Sequence, residues 1–387
     1  HVPRLIGQGG FDPMPYVVME EIAGSTLYER AKVAPLPMEE VIDLARAMTE
    51  ALHAVHRQNV IHLDLKPENM MQRPSGEVVL LDFGLSRHDQ LPDLLAEEFS
   101  LTLGTYPYVA PEQLLGQRRD LRSDLFALGV VIYQLLTGRL PFGEPKTQAA
   151  VRARLWQDPE PPRCLRPDAP EWLQEIILRA LEVDPQDRYQ SAAQMGFDLT
   201  HPQQLRLTTR GLKEARDPWT KVQLRWWRRR DLRRFVPPLG VASQINLAPV
   251  YLLAVDLTPP HEPLTDQLLL AVKRMLQKSS DARIACVNVI APEAAAQSTA
   301  QLIALKTWAR SLELPVDRLN FSILRDHNPA AALIGFAQAN RVDHILIGAN
   351  APNSGDTSLG SIAAQVAAEA PCSVSIIRPA ALSRKGV

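Results

Sequence analysis

From residue 249 the sequence alternates five short apolar runs, PVYLLAVDL, RIACVNVIA, LNFSILRD, DHILIGAN and CSVSIIRP, with helical patterns at 264–278, 298–311, 329–340 and 360–369. No other feature restricts the fold as strongly. Apolar strands joined by connections long enough to hold a helix predict a parallel sheet covered on both faces. The last third is therefore expected to be an α/β domain with a five-stranded parallel sheet, over residues 248–380.

The first 200 residues follow a different rhythm. In EEVIDLARAMTEALHAVHRQ (39–58), Val41, Leu44, Ala45, Met48, Leu52 and Val55 fall at helical spacing, which predicts an amphipathic helix. EVVLLDFGL (77–85) reads as a short strand ending in a glycine turn, and further helices are expected at 123–137, 146–156, 171–182 and 191–199. This region is mainly α, a separate domain over residues 1–200.

Between the two, residues 201–240 carry eleven Lys/Arg against three Asp/Glu, although the whole chain has 42 against 43. The stretch 201–247 is expected to be a basic linker containing one helix. WTKVQLRWWRRRDLRRF interleaves aromatics and arginines, a pattern compatible with anionic lipid or nucleic acid. The reading preferred on sequence alone is a connecting helix with Trp219, Leu224, Trp227 and Leu232 packed on a neighbour and arginines in water, so neither partner is expected there.

Three widely spaced cysteines, Cys164, Cys286 and Cys372, argue against a disulfide framework or a zinc site. The longest strongly apolar run, LFALGVVIYQLL (125–136), is shorter than the roughly 20 residues that span a bilayer, and no secretory leader pattern opens the chain. A cytoplasmic location is expected. The first residue is His1, in what reads as mid-domain.

HLDLKPENM (62–70) sets a carboxylate, an ammonium group and an amide within six positions, Asp64 to Asn69. Asp64 as general base, Lys66 as phosphate clamp and Asn69 as magnesium ligand are the three roles that phosphoryl transfer from a nucleotide needs together. Taken alone, the nonapeptide also reads as an Asn/Asp-rich loop capping a helix. Thirteen residues after Asn69, DFG (82–84) adds a second carboxylate beside a glycine turn; GTYPYVAPE (104–112) and RSDLFALGVVIYQLLTGRLPF follow.

With the order HLDLKPEN, DFG, APE, SDLFALG and DPQDRYQ, residues 1 to about 200 resemble the C-terminal lobe and hinge of a serine/threonine protein kinase. The resemblance implies ATP and Mg2+ as cofactors and protein Ser/Thr hydroxyls as acceptors. It makes Asp64 the acceptor of the hydroxyl proton, Lys66 a contact to the transferring phosphoryl, Thr105 the group that steadies both, and Asn69 and Asp82 the metal ligands. His62, Phe83 and Gly84 support them; Glu112 pairs with Arg188 in a buried ion pair; Asp124 anchors the catalytic loop, while Ser123-Asp124 before an apolar run also reads as a helix cap, a role compatible with the first. YVVMEEIAG (16–24) becomes the hinge, with Met19, Glu20 and Ile22 at the adenine and Met71 as its floor.

Leu63 stands where the family has an arginine that receives an activation-loop phosphate, so loop phosphorylation is expected to order this site less. The Gly-rich loop, the strand lysine and its helix glutamate are absent, and HVPRLIGQ and YVVME resemble only the fourth and fifth strands of the small lobe. The chain as written is therefore expected to transfer phosphate poorly or not at all. A non-catalytic stress-signalling scaffold is the alternative.

IGANAPNSGDTSLGS, after the fourth strand of the α/β region, points a Gly/Ser-rich loop at a helix N-terminus, which suits phosphate, though a flexible connection would look the same. With the ending APCSVSIIRP, residues 249–379 resemble a universal stress protein domain. In nucleotide-binding members the pattern GxxGx9G[ST] holds phosphates; Asp256, Gly348, Gly360 and Ser361 match, but Ala351 replaces the middle glycine and the gap is one residue short. The resemblance also implies a homodimer through the last strand.

Overall fold

The computed structural model describes residues 1–10, 16–88, 105–145, 147–228, 249–257, 262–277, 279, 282–315, 318–349 and 360–378. The chain divides into two compact units, His1–Ile245 and Asn246–Val387.

The first unit opens with an antiparallel ribbon, β1 (Leu5–Gly9) and β2 (Tyr16–Met19). Leu5, Ile6, Tyr16, Val17, Val18 and Met19 are all exposed, so both faces of the ribbon are apolar and uncovered. Two small sheets follow. β3 (Ser25–Thr26), β5 (Met70–Gln72) and β6 (Val78–Leu80) form one; β4 (Val60–Ile61) and β7 (Arg87–His88) form the other.

The core is helical. Its members are α1 (Leu27–Lys32), α2 (Met38–His56), α3 (Arg122–Thr137), α4 (Gln148–Arg152), α5 (Pro162–Leu165), α6 (Glu171–Ala180) and α7 (Ala192–Thr200). The apolar stripe of α2 (Val41, Leu44, Ala45, Met48, Leu52, Val55) is buried, as its spacing predicts. α3 is buried almost all round and forms the axis of the unit, ending at Gly138, whose φ of 70° is the left-handed cap that glycine adopts without strain. A Cβ on Gly129 of α3 would sit 2.8 Å from Ala180 Cβ, so the missing side chain lets α3 and α6 cross closely. The helix expected at 146–156 is shorter: α4 gives way to a 3-10 turn at Ala153–Leu155, and residue 146 lies outside the described residues.

The chain does not leave this core at residue 200. Residues 205–217 pack on α6, because two buried polar side chains there need them. Gln174, fully buried, donates through Nε2 to the carbonyls of Arg210, Gly211 and Lys213 at 2.9–3.0 Å. Glu175 accepts from Thr208 N (2.9 Å), Gly211 N (2.8 Å) and Arg210 Nη1 (3.1 Å). What composition marks as linker is, up to Asp217, part of the packed unit. It continues into α8 (Trp219–Arg228).

In the second unit β8 (Val250–Ala254), α9 (Glu262–Leu276), β9 (Arg283–Ile290), α10 (Ser298–Ala309), β10 (Leu319–Arg325), α11 (Pro329–Ala339), β11 (His344–Gly348), α12 (Ser361–Glu369) and β12 (Ser373–Ile377) alternate strictly. The sheet order is β10-β9-β8-β11-β12, and every pairing is parallel. α11 starts where Asn328 Oδ1 accepts from Ala331 N at 3.1 Å and Pro329 takes the first helical position. The chain steps outward from β8 to β10 and then returns to the other side of β8. The crevice at the carboxyl ends of β8 and β11 is therefore a topological switch point, the usual ligand position in such sheets.

Candidate active site

Asp64 lies at the centre of the first unit, 8% exposed. Its Oδ1 accepts from the Thr105 amide (3.0 Å) and hydroxyl (2.9 Å), and its Oδ2 from Lys66 Nζ (2.7 Å) and Asn69 Nδ2 (3.3 Å). Lys66 Nζ also donates to Thr105 Oγ1 at 2.9 Å. One hydroxyl thus accepts from the lysine while donating to the aspartate, and carboxylate and ammonium are held together by a third residue 39 positions beyond Lys66.

The Asn69 amide nitrogen also donates to the Asp64 carbonyl (2.9 Å), which leaves its carbonyl oxygen as the ligating atom. Asn69 is set against Asp82 by the β5–β6 pairing, because Leu81 N donates to Asn69 O at 2.8 Å. Asp82 is exposed, with φ of 56°, and its Oδ1 accepts from Gly84 N at 3.2 Å. A carboxylate and an amide oxygen are the hard donors that Mg2+ takes. Asp64 and Asn69 are thus hydrogen-bonded to each other, and Asp82 follows the residue whose amide bonds to Asn69.

His62, fully buried, joins the two loops. Its Nε2 donates to Leu81 O (2.9 Å), so Nδ1 faces the Asp64 amide as acceptor (3.4 Å), and its ring lies 4.8 Å from that of Phe83.

Leu63 is buried in the core with φ of 66°, a left-handed conformation that costs a branched residue roughly 1–2 kcal/mol. Asp124 holds it there. Its Oδ2 accepts from His62 N (2.8 Å) and His56 Nε2 (2.9 Å), and its Oδ1 from Leu63 N (2.8 Å). Asp124 is thus the loop anchor and not a helix cap; α3 shows no side-chain cap, and Ser123 donates to Glu112 (2.6 Å) instead. Nor does the turn at Pro67–Asn69 receive a side-chain cap, so the capping reading of the nonapeptide fails as well.

Glu112 and Arg188 form a bidentate pair, 2.8 and 2.7 Å, with neither side chain exposed. Burial pushes the Glu112 carboxyl up, but the charge and hydrogen bonds of Arg188 outweigh it and hold it below the ordinary range. At the hinge, Ile22 is buried and Met71 half-buried, whereas Met19 is exposed on the ribbon. Glu20 turns its side chain to Arg73 (2.7 Å), which lowers its pKa, and its amide is bonded to Arg4 O (2.9 Å).

Two supports had no signal in the sequence. Gln113 donates to Leu63 O (3.0 Å) and accepts from Ala110 N (2.8 Å), tying the catalytic loop to the segment after Thr105. Arg154, 1% exposed, donates to the carbonyls of Tyr106 (2.8 Å) and Val109, and burial lowers its pKa to about 10.

In the second unit, Asp256, Gly348, Gly360 and Ser361 line one cavity of about 550 Å³, with Asn288 and Gln301 on its wall. Gly348 serves packing as well: a Cβ there would meet Leu264 Cδ2 at 2.5 Å. Ala351 lies outside the described residues. Of the four residues expected to pack in the linker helix, Trp219 is 68% and Leu224 51% exposed; the Trp227 side chain and Leu232 lie outside the described residues.

Comparison with known proteins places this geometry. Residues 10–198 match the protein kinase domain model, and residues 251–378 match the universal stress protein family. The serine/threonine-protein kinase PknB of Mycobacterium leprae is 35% identical over 193 residues, 48% of this chain and 30% of that protein. Pkn1 of Myxococcus xanthus, also a serine/threonine-protein kinase, is 40% identical over 187 residues, 47% of this chain and 26% of that protein. A probable serine/threonine-protein kinase of Streptomyces coelicolor is 35% identical over 190 residues. The chain thus spans between 26% and 30% of the length of these relatives. It joins a protein kinase domain to a universal stress protein domain.

Proposed function

We propose that the first unit is the catalytic half of a serine/threonine protein kinase that transfers the γ-phosphoryl of ATP to Ser or Thr hydroxyls of proteins. The observation that carries this reading is the closed set of hydrogen bonds among Asp64, Lys66, Asn69 and Thr105. Asp64 Oδ1 or Oδ2 takes the acceptor hydroxyl's proton, Lys66 steadies negative charge on the transferred group, and Thr105 keeps both in register. Asn69 Oδ1 and the Asp82 carboxylate would hold Mg2+, which when bound neutralises phosphate charge.

Positioning and electrostatics supply most of this catalysis. These 387 residues hold no Gly-rich loop or strand lysine, so alone they are proposed to be weakly active. The second unit is proposed as a regulatory module that takes a nucleotide-sized ligand in its cavity and pairs with a second copy along the edge strand β12.

The test is phosphorylation with labelled ATP of this polypeptide joined at its N-terminus to a kinase small lobe. Labelling that falls about 100-fold or more in Asp64→Ala is expected. No labelling by the joined protein, or labelling indifferent to Asp64→Ala, leaves the scaffold reading in its place.

A further inference from the structure

Helix α8 has a composition unlike the rest of the chain. Its ten residues, WTKVQLRWWR, hold three of the six tryptophans and three cations, with no acid. At 3.6 residues per turn, Trp227 falls between Trp219 and Leu224 around the helix, so these three positions mark one side. Lys221, Arg225 and Arg228 recur at i, i+4 and i+7 and mark the adjoining side.

Val222 is half-buried and borders a groove with Leu140 and Phe142, which is where the helix meets the first unit. Trp219 and Leu224, away from that contact, are 68% and 51% exposed. Single exposed apolar residues are ordinary; an exposed Trp/Leu side bordered by a row of cations is the pattern of a helix that lies in a lipid interface. Indole rings favour the headgroup level, and lysine and arginine reach lipid phosphates while their stems stay apolar.

We propose that α8 is an interfacial anchor that seats the exposed Trp219 and Leu224 side on an anionic membrane surface. The occupant follows from charge: the chain as a whole carries a net charge of -1, so attraction to an anionic surface comes from local cations such as those of α8. Single-stranded nucleic acid fits less well, because stacking platforms place cations and aromatics on one face, and here they are segregated. No described helix is long and apolar enough to cross a membrane, and a ten-residue helix rises only about 15 Å, so α8 lies flat.

The experiment is co-sedimentation of the full chain with vesicles of phosphatidylcholine alone or with 30% phosphatidylserine (about a third, enough for a strong surface potential), beside a fluorescent 20-mer oligonucleotide (roughly the length of an extended groove site). Binding to the anionic vesicles only is expected, falling about fivefold for each of Lys221→Gln, Arg225→Gln and Arg228→Gln and further in 0.5 M salt (about 4 Å of screening length). Leu224→Glu, at an exposed position, is expected to abolish it with an unchanged circular dichroism spectrum. Equal binding to neutral vesicles, no binding, retained binding in Leu224→Glu, or capture of the oligonucleotide in preference to vesicles would each overturn the proposal.

Discussion

Replacing Asp124 with alanine tests whether the catalytic loop is held by one side chain of α3. Three buried donors lose their acceptor: His62 N, Leu63 N and His56 Nε2. An unmet buried donor costs about 1–3 kcal/mol, and some relaxation will re-satisfy part of the set, so a loss of about 3–5 kcal/mol is expected. That is a large share of the roughly 5–15 kcal/mol by which a domain is stable. Leu63, no longer tied at φ of 66°, is free to relax toward the right-handed region, carrying Asp64 out of reach of Thr105.

Asp124→Asn gives an intermediate loss, since an amide has one acceptor oxygen for the two that the loop uses. Urea unfolding of the full chain, followed by tryptophan fluorescence, reads this out, with five of the six tryptophans, Trp156 and Trp172 among them, in the first unit and Trp308 in the second. Two transitions are expected, because two units need not unfold together. Only the first should shift. A first transition within about 1 kcal/mol of the parent in Asp124→Ala, below the cost of even one unmet donor, would refute the anchoring argument.

Glu112→Gln leaves Arg188 as a buried cation without its carboxylate and is expected to cost about 3–5 kcal/mol in the same unfolding assay. Because the Glu112 carboxyl is held below its ordinary value of 4.5, its contribution is fully present above that pH and drains away as pH falls through the lowered value. The parent's first transition should therefore weaken below about pH 4.5 by more than that of Glu112→Gln; parallel pH profiles would contradict this. Glu175→Ala removes the acceptor for Thr208 N and Gly211 N, about 2–4 kcal/mol of local stability, and trypsin should then cut faster at Arg206, Arg210 and Lys213. Unchanged cleavage there would show that residues 205–217 are held by something else.

By itself, the sequence determined the identity and order of the elements that carry the chemistry. Strand alternation after residue 249, the stripe of α2, and the ordered set from His62 to Arg188 are properties of near neighbours along the chain, where spacing alone decides which face or turn a residue occupies. The hydrogen-bonded set of Asp64, Lys66, Asn69 and Thr105 was legible for the same reason, through motifs whose spacing belongs to a known domain. Only the tertiary structure decided who satisfies whom. Leu63 sits in a left-handed turn because Asp124, 61 residues later, offers it an oxygen. Residues 205–217 are part of the packed unit because Gln174 and Glu175 are buried and need their backbone groups. Gly348 is packed on by Leu264, and Trp219 faces water. Burial and hydrogen-bond partners depend on contacts between distant segments, and local spacing carries no record of them.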